Sequence, residues 1–145
     1  MAKMAILVVD DDDDIREAVA EVLRAEGYET RGVANGQEAL QAIQDAAERP
    51  ELILLDLMMP VMDGWDFLFW LDERADLRDT PVAIMSAHPS IQRALDITRV
   101  RRGAPYLRLH GGNRLLLPKP LSMLRLLSVV RETCSGSAAE RATVR

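Results

Sequence analysis

The most informative part of the sequence is residues 52–64, which read Leu52-Ile53-Leu54-Leu55-Asp56-Leu57-Met58-Met59-Pro60-Val61-Met62-Asp63-Gly64. Four consecutive apolar residues lead to one carboxylate, and a segment with proline and glycine follows. An apolar run of this length, bounded by turn signals, predicts a strand buried on both faces of a parallel sheet. Asp56 then lies at the carboxyl end of that strand, which is the edge where open α/β sheets bind ligands.

On either side of this stretch, strand-like and helix-like patterns alternate along the chain. Strands are predicted over 5–9, 28–33, 52–55, 81–85 and 114–117. Helices are predicted over 14–26, 35–47, 64–73, 90–102 and 122–132. This alternation predicts an α/β fold, a doubly wound parallel sheet with helices on both faces.

Length and composition fit one globular domain. The chain has 145 residues, of which 48% are apolar, enough to bury a single core. We expect the domain over 1–133 and a flexible C-terminal tail over 134–145. The only cysteine, Cys134, excludes a disulfide framework and a cysteine metal site. Without a targeting segment or a long apolar run, we expect a cytoplasmic protein with no membrane association.

Charge is distributed unevenly along the chain. Residues 1–96 contain 21 acidic and 8 basic side chains, whereas residues 97–145 contain 2 acidic and 10 basic ones. A basic patch can attract an acidic partner or nucleic acid, or it can neutralise the acidic half within the fold. Because aromatic residues are nearly absent from the basic segment, we favour neutralisation.

Two acidic groups follow neighbouring strands of the predicted sheet. Asp10 and Asp11 come directly after the first strand, and Asp56 ends the third. Like charges brought together need a cation, and carboxylates beside waters and phosphate oxygens suit Mg²⁺. The sequence therefore predicts a magnesium site at this edge. The remaining aspartates, 12–14, are interpreted as a solvated helix start, where the helix dipole favours negative charge.

Two further polar residues belong to the same edge. Lys119 follows the last strand between Pro118 and Pro120, which restrict the backbone and hold its ammonium as a point charge for phosphoryl oxygens. A cis bond at Lys119–Pro120 is compatible with this context. Ser86 ends the fourth strand, where its hydroxyl can bind a phosphoryl oxygen.

As a set, these motifs resemble the receiver domain of bacterial two-component response regulators. The resemblance covers about residues 4–132. It rests on Val8-Val9-Asp10-Asp11-Asp12, on residues 56–64, on Ser86-Ala87 and on Pro118-Lys119-Pro120. It implies a flavodoxin-like fold, with five parallel strands in the order 2-1-3-4-5 and five helices.

The resemblance also implies a role for each residue. Asp56 would be the phosphoacceptor. Asp11 and Asp56 would ligate Mg²⁺ directly, with Asp10 acting mainly through water and Met58 contributing its backbone carbonyl. Ser86 and Lys119 would bind the phosphoryl oxygens.

The implied function is phosphorelay signalling rather than turnover of a substrate. A sensor histidine kinase or a phosphotransfer protein would donate the phosphoryl group. The modification would then switch a face formed by the fourth helix, the fifth strand and the last helix, to which a downstream effector protein binds. We do not expect direct DNA binding, because no DNA-binding motif follows residue 132. The last helix is apolar almost all round, which suggests a homodimer there.

Three features depart from the family pattern or exceed it. Leu116 stands where family members usually have an aromatic residue that moves on activation. Residues 101–113 lengthen the connection to the last strand, either as a partner-specific element or as a tolerated loop. Phe69 and Trp70 are expected to project away from the core, as an interface or beneath that loop.

Two alternatives follow from the residues. One is a pseudo-receiver, a phosphorylation-independent interaction module, which Leu116 and the long segment favour. The other is a Mg²⁺-dependent aspartyl-phosphate phosphatase with its nucleophile after the first strand. Asp10 and Asp12 match half of that pattern, but position 14 is Asp and Asp56 would be left without a role.

Overall fold

The computed structural model describes residues 5–87, 106–109 and 112–134. The strands are β1 (Ile6–Val9), β2 (Thr30–Val33), β3 (Leu52–Asp56), β4 (Val82–Ser86), β5 (Tyr106–Leu109) and β6 (Gly112–Pro118). The helices are α1 (Asp13–Ala25), α2 (Gly36–Asp45), α3 (Gly64–Glu73) and α4 (Met123–Thr133). The predicted helix over 90–102 and the tail from residue 135 lie outside the described residues.

All strands belong to one sheet, in the order β2-β1-β3-β4-β6-β5. The pairings from β2 to β6 are parallel, so the predicted order 2-1-3-4-5 is confirmed, with β6 as the predicted fifth strand. The prediction lacks β5, which lies within the segment 101–113 and pairs antiparallel with β6. Apolar and basic residues alternate over Leu107-Arg108-Leu109, and glycines follow at 111 and 112, a pattern that is typical of a hairpin. This pattern is the signal that could have revealed β5.

The two faces of the sheet carry separate apolar cores. One is formed by side chains such as Leu7, Ile53 and Ile84, under α2 and α3. The other is formed by side chains such as Val8 and Leu54, under α1 and α4. Every residue of β1, β3 and β4 is buried, as continuous apolar strands require in a parallel sheet. The packed core on both faces therefore holds the carboxyl ends of these strands in fixed positions at the sheet edge.

Phe69 and Trp70 on α3 differ from each other, contrary to the prediction. Phe69 is 64% exposed, as expected for a residue that projects away from the core. Trp70 instead stacks on Phe67, with ring centroids 5.9 Å apart, and packs against the core. The Arg74 guanidinium lies 5.4 Å from the Trp70 ring centroid, which covers the indole's outer side.

A buried ion pair connects β6 to the far end of α3. Arg114 is fully buried, and its Nη2 lies 2.5 Å from the Asp72 carboxylate. Its Nη1 donates a hydrogen bond to the Thr80 carbonyl oxygen at 3.2 Å. Burial lowers the pKa of the Arg114 guanidinium, and Asp72 opposes that shift. A buried charge of this kind depends on its partner.

We expect Asp72→Ala to lower the free energy of unfolding by about 3 kcal/mol, because it leaves the Arg114 charge buried without its carboxylate. Urea unfolding followed by circular dichroism measures the change. Glu73→Ala is the matched control, since it removes the same charge from the adjacent, exposed position of α3. Equal losses in the two variants would contradict a stabilising role for the pair.

Candidate functional site

Four of the predicted polar residues meet at the carboxyl edge of the parallel strands. Asp10 follows β1, Asp56 is the last residue of β3, Ser86 is the last residue of β4, and Lys119 follows β6. Adjacent parallel strands end side by side, so a residue at each strand end contributes to a common site. The sheet order thus brings together residues that are as far as 109 positions apart in the chain.

Three carboxylates form the centre of the site. Asp10 is fully buried, Asp56 is 7% exposed and Asp11 is exposed. One oxygen from each lies within 4.8 Å of the others. Among the described residues, this is the only cluster of three such side chains close enough to share a metal ion.

Lys119 supplies the positive charge of the site. Its Nζ lies 3.1 Å from Asp10 Oδ2 and 3.6 Å from Asp56 Oδ2. Its backbone N–H donates to the Ser86 carbonyl oxygen at 3.0 Å, which ties the lysine to the end of β4. The Lys119–Pro120 peptide is cis. One ammonium between two carboxylates, with a third nearby, leaves the cluster with excess negative charge.

The pKa of Asp56 departs from the usual value of an aspartate, chiefly because the residue is buried. Burial raises the pKa of its carboxyl from 3.8 to about 6. The Lys119 ammonium opposes the shift, the Asp10 carboxylate adds to it, and a hydrogen bond from the Met58 N–H opposes it. The carboxylate is ionised near neutral pH, but its charge is only partly compensated within the protein.

Asp10 is fixed through both its backbone and its side chain. Its N–H donates to the Val33 carbonyl oxygen at 3.1 Å, and its own carbonyl oxygen accepts from Arg16 Nη1 at 2.8 Å. Its Oδ1 accepts from the Asp12 N–H at 2.9 Å, and its Oδ2 accepts from Lys119. These hydrogen bonds therefore hold Asp10 in a fixed position within the site.

The aspartates that follow serve α1, as predicted. The Asp12 side chain accepts hydrogen bonds from the N–H groups of Asp14 and Ile15 and caps the helix. Asp13 lies in the first turn and forms an ion pair with Arg16. These carboxylates stabilise the helix N-terminus.

The loop after β3 packs closely behind Asp56. The Met58 N–H donates to Asp56 Oδ1 at 3.3 Å, while the Met58 side chain is 63% exposed. The Gly64 N–H donates to the Leu57 carbonyl oxygen at 3.0 Å. A Cβ at Gly64 would lie 2.5 Å from the Asp56 carbonyl oxygen, so only glycine lets α3 begin at this distance from the strand end.

Leu116 is a buried residue of β6, paired with Ile84 of β4 and 7% exposed. It fills its position with apolar volume and has no hydroxyl to offer the site.

Sequence reasoning did not single out Arg16. Its side chain spans from α1 to the Asp10 carbonyl oxygen, in a contact between elements rather than within one helix. The available signal is the spacing of Asp13 and Arg16, three residues apart on a helix, which identifies an ion pair but not the second contact.

Comparison with known proteins agrees with this geometry. Residues 6–104 match the family model for the response regulator receiver domain. Response regulator MprA of Mycobacterium bovis is 33% identical over 144 residues, which is 97% of this chain and 56% of that protein. DNA-binding response regulator MtrA of Mycolicibacterium smegmatis is 42% identical over 85 residues, which is 59% of this chain and 35% of that protein. The chain thus spans about half or less of the length of the first curated relatives it matches.

Solved structures show the same fold. The chemotaxis response regulator CheY4 of Vibrio cholerae superimposes with a TM-score of 0.68 at 30% identity, covering 90% of this chain and 99% of that one. The receiver domain of the Francisella response regulator 1452 gives a TM-score of 0.69 at 28% identity, with 90% and 96% coverage. Within the described part of the chain, no helix has the length and apolar character that a bilayer crossing requires.

The raised pKa of Asp56 predicts how the free energy of unfolding depends on pH. The unfolded chain ionises this group near 3.8 and the folded protein near 6, so the stability that the protonated form provides is lost as the pH rises from 4 to 6. At pH 7, without divalent cations, we expect Asp56→Asn to raise the free energy of unfolding by about 2 kcal/mol. The advantage should vanish below pH 4.

Urea unfolding in EDTA across this pH range measures the difference between wild type and Asp56→Asn. Asp66→Asn, which alters an exposed carboxylate on α3, is the control. A constant difference between Asp56→Asn and wild type from pH 4 to 7 would contradict the electrostatic explanation.

Proposed function

The chain belongs to the family of response regulator receiver domains, and on that basis we propose that it is a phosphoacceptor of two-component signalling that takes a phosphoryl group on Asp56. One observation carries the proposal: a carboxylate at the end of β3 lies 3.6 Å from a lysine ammonium and beside two further carboxylates. This combination matches what transfer of a phosphoryl group to oxygen needs, a nucleophile together with charge compensation.

We further propose that the acidic cluster binds Mg²⁺. Three carboxylates within 4.8 Å offer hard oxygen ligands, and a single ammonium, that of Lys119, faces them. Asp11 and Asp56 are the proposed direct ligands, with Asp10 acting through water and Met58 through its carbonyl oxygen. When bound, the cation neutralises phosphoryl oxygens and lets the carboxylate approach them.

The chain's own residues perform the remaining tasks. An ionised Asp56 oxygen attacks phosphorus; the new P–O bond forms as the bond from phosphorus to the donor's imidazole nitrogen breaks, and the imidazole leaves. The Lys119 ammonium, released from its contacts with Asp10 and Asp56, pairs with a phosphoryl oxygen. The Ser86 hydroxyl donates to another phosphoryl oxygen from the end of β4.

A sensor histidine kinase or a phosphotransfer protein is the proposed donor, and an effector protein the proposed recipient of the signal. The face that responds is proposed to comprise residues 90–102, β6 and α4. The outer side of α4 is apolar at Leu124, which is 84% exposed, so it offers a contact for an effector or for a second copy of the chain.

One observation favours a second candidate, a pseudo-receiver that binds partners without phosphorylation. Leu116 stands at the family's usual aromatic position and is 7% exposed, so the side-chain movement that reports phosphorylation in relatives has no equivalent ring here. The phosphatase alternative loses support from the geometry of the first strand end. Both oxygens of Asp10 accept hydrogen bonds and the residue is fully buried. These properties suit a residue that holds the site in place better than they suit a nucleophile.

Incubation with acetyl phosphate and Mg²⁺ should add one phosphoryl group to the wild-type protein, as measured by intact mass. Asp56→Asn should lose the adduct because it removes the nucleophile, and EDTA should suppress it in the wild type. Asp66→Asn should keep the adduct, since that carboxylate is exposed on α3.

A wild-type protein that binds Mg²⁺ but forms no adduct would contradict the proposal and favour the pseudo-receiver. An adduct that persists in Asp56→Asn would place the acceptor elsewhere.

A further inference from the structure

Arg16 is the basic residue that contacts the acidic turn from α1. Its side chain is 17% exposed. Nη1 donates to the Asp10 carbonyl oxygen at 2.8 Å, and Nη2 pairs with the Asp13 carboxylate at 2.5 Å. One planar guanidinium thus joins the first and the last residue of the turn 10–13, which a flexible ammonium cannot do in the same way.

The contact at Asp10 acts on the peptide that carries Asp11. The Asp10 carbonyl belongs to the peptide group between Asp10 and Asp11, so the hydrogen bond from Arg16 fixes the orientation of that group. Asp11 contributes the exposed carboxylate of the cluster, and no hydrogen bond or ion pair to another described residue restrains its side chain. The Arg16 contact thus acts on the backbone from which Asp11 reaches the cluster.

Gly32 of β2 provides the space in which Arg16 lies. A Cβ at this position would come within 3.0 Å of Arg16 Cγ and 3.1 Å of Cδ. These distances are shorter than ordinary van der Waals contact, so a larger residue requires the arginine stem to move. The absence of a side chain at Gly32 on β2 thus leaves the space that the Arg16 stem on α1 occupies.

We propose that Arg16 is a positioning residue for the divalent cation: by tying the Asp10 carbonyl oxygen to Asp13, it orients the Asp11 carboxylate and raises the affinity of the cluster for Mg²⁺. This inference rests on the proposed function, because it concerns the same cation site.

Electrostatics alone predicts the opposite effect of removing Arg16 on the affinity for Mg²⁺. Arg16 is a positive charge beside a cation site, so by Coulomb's law its removal makes Mg²⁺ bind more tightly. Loss of a group that orients a ligand instead weakens metal binding, typically by 10- to 100-fold. Neutralising Arg16 therefore distinguishes the two effects by the direction of the change.

The test is isothermal titration of the full chain with MgCl2, using Arg16→Gln and Arg24→Gln. Arg24 is the matched control because it lies on α1, about 12 Å further along the helix, and also donates to a backbone carbonyl oxygen, that of Thr30. We expect the Mg²⁺ dissociation constant to rise about tenfold in Arg16→Gln and to stay within twofold of wild type in Arg24→Gln. An unchanged or lower constant in Arg16→Gln would overturn the proposal.

Gly32→Ala keeps the charge of Arg16 and displaces its stem. We expect weaker Mg²⁺ binding in this variant, by about threefold, and little further loss when it is combined with Arg16→Gln. If Arg16→Gln does not fold, the proposal is tested with Gly32→Ala. Mg²⁺ binding by this variant equal to that of wild type would overturn the proposal.

A readout without the cation separates positioning from a merely structural role. In EDTA, amide hydrogen exchange at Asp12, whose N–H donates to Asp10 Oδ1, should accelerate in Arg16→Gln while exchange in β3 and β4 stays as in wild type. Faster exchange throughout the sheet would overturn the local role.

Wild-type protein that binds no Mg²⁺ would overturn the inference together with the proposed cation site. Wild-type binding that Arg16→Gln leaves intact would overturn the inference alone.

Discussion

Excess negative charge is confined where the parallel strands end, and the arrangement of the site follows from it. Three carboxylates lie within 4.8 Å, one of them fully buried, and a single ammonium contacts two of them. Such a cluster is unfavourable unless its members are held in place and supplied with a positive partner. The hydrogen bonds around Asp10 meet the first requirement. The second is met in part by Lys119, and the remainder is what makes the cluster suited to a divalent cation.

The fold resists this repulsion because the strands that carry the carboxylates cannot separate. All of β1 pairs with residues 52–55 of β3, directly before Asp56, and both strands are covered by a core on each face. Moving Asp10 away from Asp56 would break that ladder and expose apolar side chains to water, which costs far more than the strands gain from reduced repulsion. The charged edge thus depends on the apolar interior beneath it.

Much of this could be predicted from the sequence, because strand ends can be recognised from local pattern. The apolar runs before Asp10, Asp56 and Ser86 predict where each strand stops, and the alternation of elements predicts that the strands are parallel. The placement of those residues at one edge follows from these two predictions.

The features that escaped prediction depend on contacts between distant parts of the chain. Arg114 looks like a polar residue at the start of a strand, and only the fold brings Asp72 to it. Helical periodicity places Trp70 on the outer side of α3, whereas in the structure its ring stacks on Phe67 and lies beside the Arg74 guanidinium. For the same reason, Arg16 could be assigned an ion pair but not a connection to the site.

The antiparallel strand β5 changes the mechanical character of β6. Without it, β6 would be the last strand of the sheet; with it, residues 112–115 of β6 pair with β5 and residues 114–118 pair with β4, so β6 has a neighbour on each side at Arg114 and Leu115. A strand anchored on both sides cannot slide or peel without breaking two ladders at once. The beginning of β6 is therefore held from both sides, whereas residues 116–118, which lead to Lys119, are held in the sheet by β4 alone.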